Sequence, residues 1–432
     1  MHGHYLQKLA DAHAQGRAMG ITSVCSAHAL VIEAALRNGL TGSAPVLIEA
    51  TCNQVNHEGG YTGMTPADFR RFVLEIAERV GFDPQRLILG GDHLGPNPWR
   101  HLPASVAMNN AERMLEAYAR AGFSKIHLDA SMACLGETDP LDGALVAERA
   151  ARLAAVVERT VAAAGLPAPL YVIGTEVPVP GGASEKVEDL QVTTPQSALQ
   201  TIELHRQAFI AQGLDNVFAR VIGLVVQPGV EFGNENVVVY QPEKAQALSA
   251  ILQGQPQWVF EAHSTDYQPT TALKSLVRDG FAILKVGPGL TFALREALYA
   301  LDHIAAALRA VPEQESLRKT MEAVMLAEPH YWDRYYHGDD AALRVQRHFS
   351  YSDRIRYYWP FAAASRAVEE MFLAFGDEPI PETLVSQYLP QLYPRVASGQ
   401  GDCSARGLAL AAIAQVLEQY GAACGERSDV PI

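Results

Sequence analysis

Two short stretches of the chain carry the residue types from which acid–base and metal chemistry are built. In Gly90-Gly91-Asp92-His93-Leu94-Gly95-Pro96-Asn97 an aspartate and a histidine stand side by side in a Gly/Pro frame. A neutral imidazole can bind a divalent ion while the adjacent carboxylate moves a proton or orients a ligand. Taken alone, the dipeptide reads better as a loop locked by an Asp–His hydrogen bond. The metal reading gains weight from Phe260-Glu261-Ala262-His263-Ser264-Thr265-Asp266, which supplies a second histidine and more carboxylate.

Other polar residues follow the same logic. In Ile173-Gly174-Thr175-Glu176, Glu176 comes just after a buried run and ahead of a stiff Pro/Gly loop, placed to be a ligand, a base or a structural anchor. In Ile126-His127-Leu128-Asp129-Ala130-Ser131, Asp129 is directed to the same region, whereas His127 reads as a satisfied core histidine. Leu284-Lys285-Val286-Gly287-Pro288-Gly289 ends a strand and opens a helix, where backbone N–H groups seat phosphate and Lys285 would add charge. By itself that run is also an ordinary strand-to-helix turn. Lys285 as a Schiff-base nucleophile fits the histidine set less well.

The expected assignment is therefore Asp92, Asp129 and Glu176 for catalysis, and His93 and His263 for a divalent metal, with Glu176, Gln227 or Glu261 completing its shell. Ser23, Glu49, Asn53, Ser131, Asp266, Lys285, Gly287 and Gly289 are the expected substrate contacts. The donor types do not distinguish Zn, Mn, Mg, Co or Ni.

What must position these residues is a set of parallel strands. Short apolar runs, Ile21–Val24, Val46–Glu49, Leu87–Leu89, Lys125–Leu128, Leu170–Ile173, Val221–Val226, Trp258–Phe260 and Ala282–Val286, alternate with amphipathic helical stretches. Eight such units predict an α/β fold, a (β/α)8 TIM barrel over residues 1–308, whose strand ends converge on one mouth. Past Leu308 the alternation stops, and residues 309–432 read as a helical C-terminal extension. Its aromatic stretch, Ser350 to Trp359, reads as packing rather more than as a partner site.

The bulk numbers narrow the partners. Of 432 residues, 48% are hydrophobic and the formal net charge is -14, with no Lys/Arg run to offset it locally, so nucleic acid and anionic membrane surfaces are poor partners. Five scattered cysteines without a CxxC pair fit reduced thiols in cytosol. The N-terminal residues lack a signal-like segment, and a cytoplasmic location is expected; the sequence leaves homo-oligomerisation open.

Beyond these derivations, the chain resembles the Z-subunit family of class II tagatose-bisphosphate aldolases, the GatZ/KbaZ-like proteins. The likeness rests on Ser23-Val24-Cys25-Ser26-Ala27-His28, Asn53-Gln54-Val55-Asn56 with Gly59-Gly60-Tyr61-Thr62-Gly63-Met64, and Gly90 through Asn97. It continues in Lys125 through Ser131, Gly174 through Pro180, Val226-Gln227-Pro228-Gly229-Val230-Glu231-Phe232, Glu261 through Tyr267, and Asp353 through Pro360.

The resemblance implies a barrel acting in ketohexose-phosphate metabolism, including galactitol and tagatose breakdown. Relative to class II aldolases it implies that Asp92-His93 and His263 match an Asp-His pair and one zinc-binding histidine. The remaining zinc histidine is replaced by the Gln227-Pro228-Gly229 segment. Two functions are then open: a metal-dependent tagatose 6-phosphate/fructose 6-phosphate 4-epimerase, which is favoured, or a non-catalytic partner that activates a class II aldolase Y subunit. A phosphorylated ketohexose is the expected small-molecule partner. No P-loop or kinase motif set is present.

Overall fold

A computed structural model of the chain describes residues 3–174, 190–309 and 316–426. Ten strands occur among them: β1 (Ile21–Cys25), β2 (Val46–Thr51), β3 (Leu87–Leu94), β4 (Lys125–Leu128), β5 (Leu170–Ile173), β6 (Val221–Val226), β7 (Glu231–Phe232), β8 (Val237–Val238), β9 (Val259–Ala262) and β10 (Phe281–Val286). Eight of them close a barrel in the order β1-β2-β3-β4-β5-β6-β9-β10, every neighbouring pair parallel. The (β/α)8 barrel read from the sequence is therefore present. The small antiparallel β7–β8 hairpin in the loop after β6 was not anticipated.

Strand alternation sorts the side chains. Val24, Ile48, Leu89, Ile126, Leu224 and Phe260 join the large apolar layer between strands and helices. Inside, the floor of the barrel is apolar: Ile21, Leu47, Ile88, Leu170, Val259 and Ile283 pack together with Leu6 and Leu9 of the first helix, Gly3–Ala14, which plugs the amino-terminal end. One inward position further up, the interior turns charged, with Ser23, Glu49, Lys125, Glu261 and Lys285 all buried. The barrel thus has a greasy base and an ionic upper half.

β3 runs five residues beyond the Leu87–Leu89 expected, through Asp92-His93 to Leu94. Gly91 pairs with Ile126 but Leu94 pairs with Leu128, so β3 carries one extra residue at this point, a bulge, and His93 takes a left-handed φ of 49°. In a regular strand Asp92 and His93 would face opposite sides. The bulge brings both into the interior. Gly95 then lets the chain pass the end of β4 at close range, since a Cβ there would lie 1.5 Å from the Asp129 carbonyl oxygen.

The extension is helical, with no strand among its described residues, and comprises helices Leu317–Ala327, Asp340–Phe349, Ala362–Phe375, Glu382–Tyr388, Tyr393–Ala397 and Ala405–Cys424. Its last helix folds back on the barrel and packs on β1 and on helices Ala29–Gly39, Thr270–Arg278 and Pro288–Arg309. Gly20 N–H donates to the Cys424 carbonyl at 3.0 Å, Thr22 N–H to Glu426 Oε1 at 2.7 Å, and the Tyr420 hydroxyl to the Thr265 carbonyl at 2.7 Å. The segment Arg354–Tyr358, a short 3-10 helix, is pinned over the barrel mouth: Thr291 Oγ1 donates to Asp353 at 2.5 Å and Tyr267 to the Tyr351 carbonyl at 2.6 Å. The five cysteines, as expected, are all free.

Candidate active site

The upper barrel holds a continuous ionic network. Glu49 of β2 accepts from Ser23 at 2.7 Å and faces Lys125 at 2.8 Å and Lys285 at 3.0 Å. Lys125 also reaches Glu261 at 2.7 Å, and Lys285 reaches Asp92 at 2.9 Å. Burial opposes the charge on Lys285, but Asp92, with Glu49 and Glu261, outweighs it and holds the ammonium pKa well above its usual range. Burial likewise pushes Asp92 up, and Lys285, His93 and His127 more than reverse this, keeping the carboxylate ionised. With all carboxylates ionised and imidazoles neutral, Glu49, Asp92, Asp129 and Glu261 exceed Lys125 and Lys285 by two negative charges.

The imidazoles sit on top of this layer, and their tautomers follow from their partners. His93 Nδ1 lies 2.7 Å from Asp129, and His263 Nε2 lies 2.9 Å from Glu261. Carboxylates accept only, so both of those nitrogens carry the proton. The other nitrogens, His93 Nε2 and His263 Nδ1, face each other at 3.1 Å. Burial lowers the His263 pKa to about 4, so this ring is neutral. Burial lowers His93 too, but Asp92 and Asp129 overcome it and raise the net value. Two facing lone pairs require a cation between them, whether a proton or a metal ion.

A divalent ion fits these residues. Two nitrogens bound at about 2.1 Å to one tetrahedral ion would be roughly 3.4 Å apart, close to the observed separation. Each imidazole is held from behind by a carboxylate, the arrangement that orients metal-binding histidines. The local excess of two negative charges equals the charge of such an ion. A second grouping, Asp92, His127, Glu261 and His263, also has donor atoms within 4.8 Å of one another. His127 fits that role less well, because its Nε2 donates to the Gly174 carbonyl at 3.0 Å and its Nδ1 accepts from the His93 amide at 3.1 Å, with Asp92 Oδ1 2.9 Å away. It is buried and satisfied, as its sequence position suggested, and what it holds in place is the backbone at His93.

The expected contacts separate into three groups. Asn53, Asp92, His93, His263, Asp266, Lys285 and Gly287 line one cavity of about 680 Å3 at the mouth. Ser23 and Glu49 lie beneath it in the ion network, while Asp129 and Ser131 stand behind His93, with Ser131 Oγ donating to Asp129 at 2.8 Å. Gln227 turns inward on its own loop: its Oε1 accepts from Gly229 and Val230 at 2.8 and 2.9 Å, and the residue takes no part in the histidine cluster. Glu176 lies outside the described residues.

The expected phosphate seat is occupied by the protein itself. The amides of Gly287 and Gly289 both donate to Asp266 Oδ1, at 2.9 and 2.7 Å, and Lys285 points into the barrel. The cation at the rim is instead Arg356, which lines the cavity with Tyr357 and Tyr61. Sequence reasoning passed over these residues, although their aromatic-rich stretch had been noticed. Cys25 also lines the cavity, but burial pushes its thiol far above the usual range despite Lys285, which leaves it no nucleophile.

Fold and site together define a barrel of the kind that does its chemistry at the carboxyl ends of parallel strands, here with a buried histidine–carboxylate centre. The chain belongs to the D-tagatose-1,6-bisphosphate aldolase subunit GatZ/KbaZ-like family, whose model matches residues 6–425. It is 56% identical over 421 residues to the D-tagatose 6-phosphate 4-epimerase of Agrobacterium fabrum (strain C58), with 98% of each chain covered. A crystal structure from Sinorhizobium meliloti 1021, described as a probable tagatose 6 phosphate kinase, matches with a TM-score of 0.88 and 56% identity, covering 94% of this chain and all of that one.

Proposed function

We propose that the protein is a metal-dependent epimerase that interconverts D-tagatose 6-phosphate and D-fructose 6-phosphate at C4. The observation that carries this reading is the pair of carboxylate-backed imidazoles, His93 and His263, facing each other beside an ionised Asp92. The similarity to an epimerase over 98% of both chains supports the choice of substrate.

The chemistry dictates the route. C4 is not adjacent to the C2 carbonyl, so its hydrogen is not acidic and simple proton exchange cannot invert it. A redox route would require a nicotinamide cofactor, and the sequence offers no GxGxxG after a strand. Cleavage between C3 and C4, rotation of the released aldehyde and re-addition on its other face inverts the centre with no net redox change. His93 and His263 would hold a divalent ion, which would supply positive charge to offset the negative charge that develops at C2 and C3.

The chain's own groups do the rest. Asp92 accepts the C4 hydroxyl proton as the bond breaks and returns it on re-addition; Lys285, 2.9 Å away, keeps it ionised and holds it in place. Asp129 and Glu261 orient the two imidazoles, and Asn53 and Asp266 face the sugar across the cavity. A kinase reading gains nothing from the site, since no P-loop sequence is available to grip a nucleotide triphosphate. The test is incubation of the purified protein, without any aldolase subunit, with fructose 6-phosphate and Mg, Mn, Zn, Co or Ni, followed by dephosphorylation and sugar separation. Tagatose is the expected product. Its absence under every metal, together with stimulation of an aldolase Y subunit, would establish the accessory role instead.

A further inference from the structure

Arg356 differs from the other cations of the site in having no carboxylate in direct contact, Asp353 and Asp266 acting on it only through space. Lys125 and Lys285 are each paired with carboxylates, whereas among the described residues no carboxylate lies within 4 Å of the Arg356 guanidinium. Its Nη1 donates to the Ser352 and Asp353 carbonyls, the latter at 3.0 Å, and its Nη2 to the Tyr357 hydroxyl at 3.0 Å. All three acceptors are neutral. They hold the guanidinium in place without forming an ion pair with it, at a position shared by the mouth cavity and a neighbouring one.

The surroundings suit a phosphate ester. A partly buried, immobilised guanidinium facing a cavity gains most from a ligand that brings a charge-assisted hydrogen bond, and the planar fork of arginine matches phosphate oxygens. The Tyr61 and Tyr357 rings, in edge-to-face contact with centroids 4.8 Å apart, form one aromatic wall, and the guanidinium carbon lies 4.5 Å from the centre of the Tyr357 ring. The alternative seat, the amides of Gly287 and Gly289, is already taken by Asp266. His93, His263 and Asp92 line the same cavity.

We propose that Arg356, carried over the mouth by the C-terminal extension, binds the phosphate group of the substrate, with Tyr61 and Tyr357 beside it. The barrel then supplies the reacting centre and the extension supplies the grip on the far end of the sugar. This deepens the epimerase reading and rests on it for the identity of the phosphate ester.

Two measurements on the full chain, loaded with the metal that supports turnover, test it. In Arg356→Met, KM for fructose 6-phosphate should rise about 10- to 100-fold, the value of one charge-assisted contact, with a much smaller fall in turnover of free fructose at fixed concentration. Arg356→Lys should recover part of the loss. Equal loss on both sugars, or an unchanged KM for the phosphorylated one, would overturn the assignment. Titration with glycerol 3-phosphate and with glycerol separates the seat from the activity. Arg356-dependent binding of the ester by a protein that does not epimerise would keep the seat and sink the epimerase reading. Ester binding unchanged by Arg356→Met in an active enzyme would do the reverse.

Discussion

His93 Nε2 and His263 Nδ1 meet at 3.1 Å, each ring fixed from behind by its own carboxylate, so the space between them belongs to a cation. In the absence of metal a shared proton would fill it, and it is favoured on His93, whose pKa Asp92 and Asp129 raise against the effect of burial, over His263, whose pKa burial lowers to about 4.

Metal binding should therefore displace a proton. Calorimetric titration in buffers of different ionisation enthalpy should show proton release on ion binding, and affinity should weaken as pH falls. His263→Ala should abolish binding with the fold retained. Undiminished metal affinity in that variant would remove His263 from the centre.

Asp92→Asn preserves shape while deleting the proton acceptor. Turnover should fall by roughly 10²–10⁴-fold. Since Asp92 also anchors Lys285, circular dichroism and metal titration must accompany the rate, and both should stay near those of the unmodified protein. A rate within a few-fold of the original would transfer the role elsewhere.

Lys285→Met is expected to act on the barrel interior instead of on phosphate recognition. It leaves Glu49 and Asp92 facing each other across a buried layer without their shared ammonium. Breaking such a pair typically costs about 3–5 kcal/mol. A large drop in unfolding midpoint, with equal loss of activity on phosphorylated and free sugar, is the expected signature. Selective weakening of phosphorylated ligands alone would return Lys285 to the phosphate site.

Glu231 offers a pH test away from the histidines. It is fully buried, its Oε1 accepts from Phe232 N–H at 2.9 Å, its Oε2 has no partner, and burial pushes its pKa up to about 7. The unfolded chain ionises this group near pH 4 and the folded one only near 7, so stability is full below about pH 4 and declines as pH rises to about 7, on the order of 3 kcal/mol in total. Glu231→Gln should flatten that slope, giving a variant more stable than the original protein at pH 7.5 and little changed at pH 4. Parallel denaturation midpoints across the range would exclude the effect.

Much of this architecture could be read from residue order alone, because strand alternation and helix periodicity are local. The eight barrel strands fall where the apolar runs predicted, and Asp92, His93 and His263 converge as their strand-end positions implied. What escaped was set by geometry beyond the strand. Gly90-Gly91 hid the continuation of β3, since two glycines in a strand resemble a turn, and the bulge after them places both Asp92 and His93 inside. The Gly287 and Gly289 amides suggested an anion seat because no local signal shows that Asp266, twenty-one residues before Gly287, fills it. Arg356 belongs to the site only through the way the extension folds over the mouth.

The pairing of the last helix with the first strand has a consequence for biogenesis. Thr22 bonds to Cys424 and Glu426 across 402 and 404 residues of chain. A ribosome therefore has to release more than 400 residues after Thr22 before β1 meets the helix that covers it, and until then the growing chain carries an uncovered apolar wall. Contacts of such long sequence separation add loop-closure cost to folding and keep the apolar face exposed while it is outstanding.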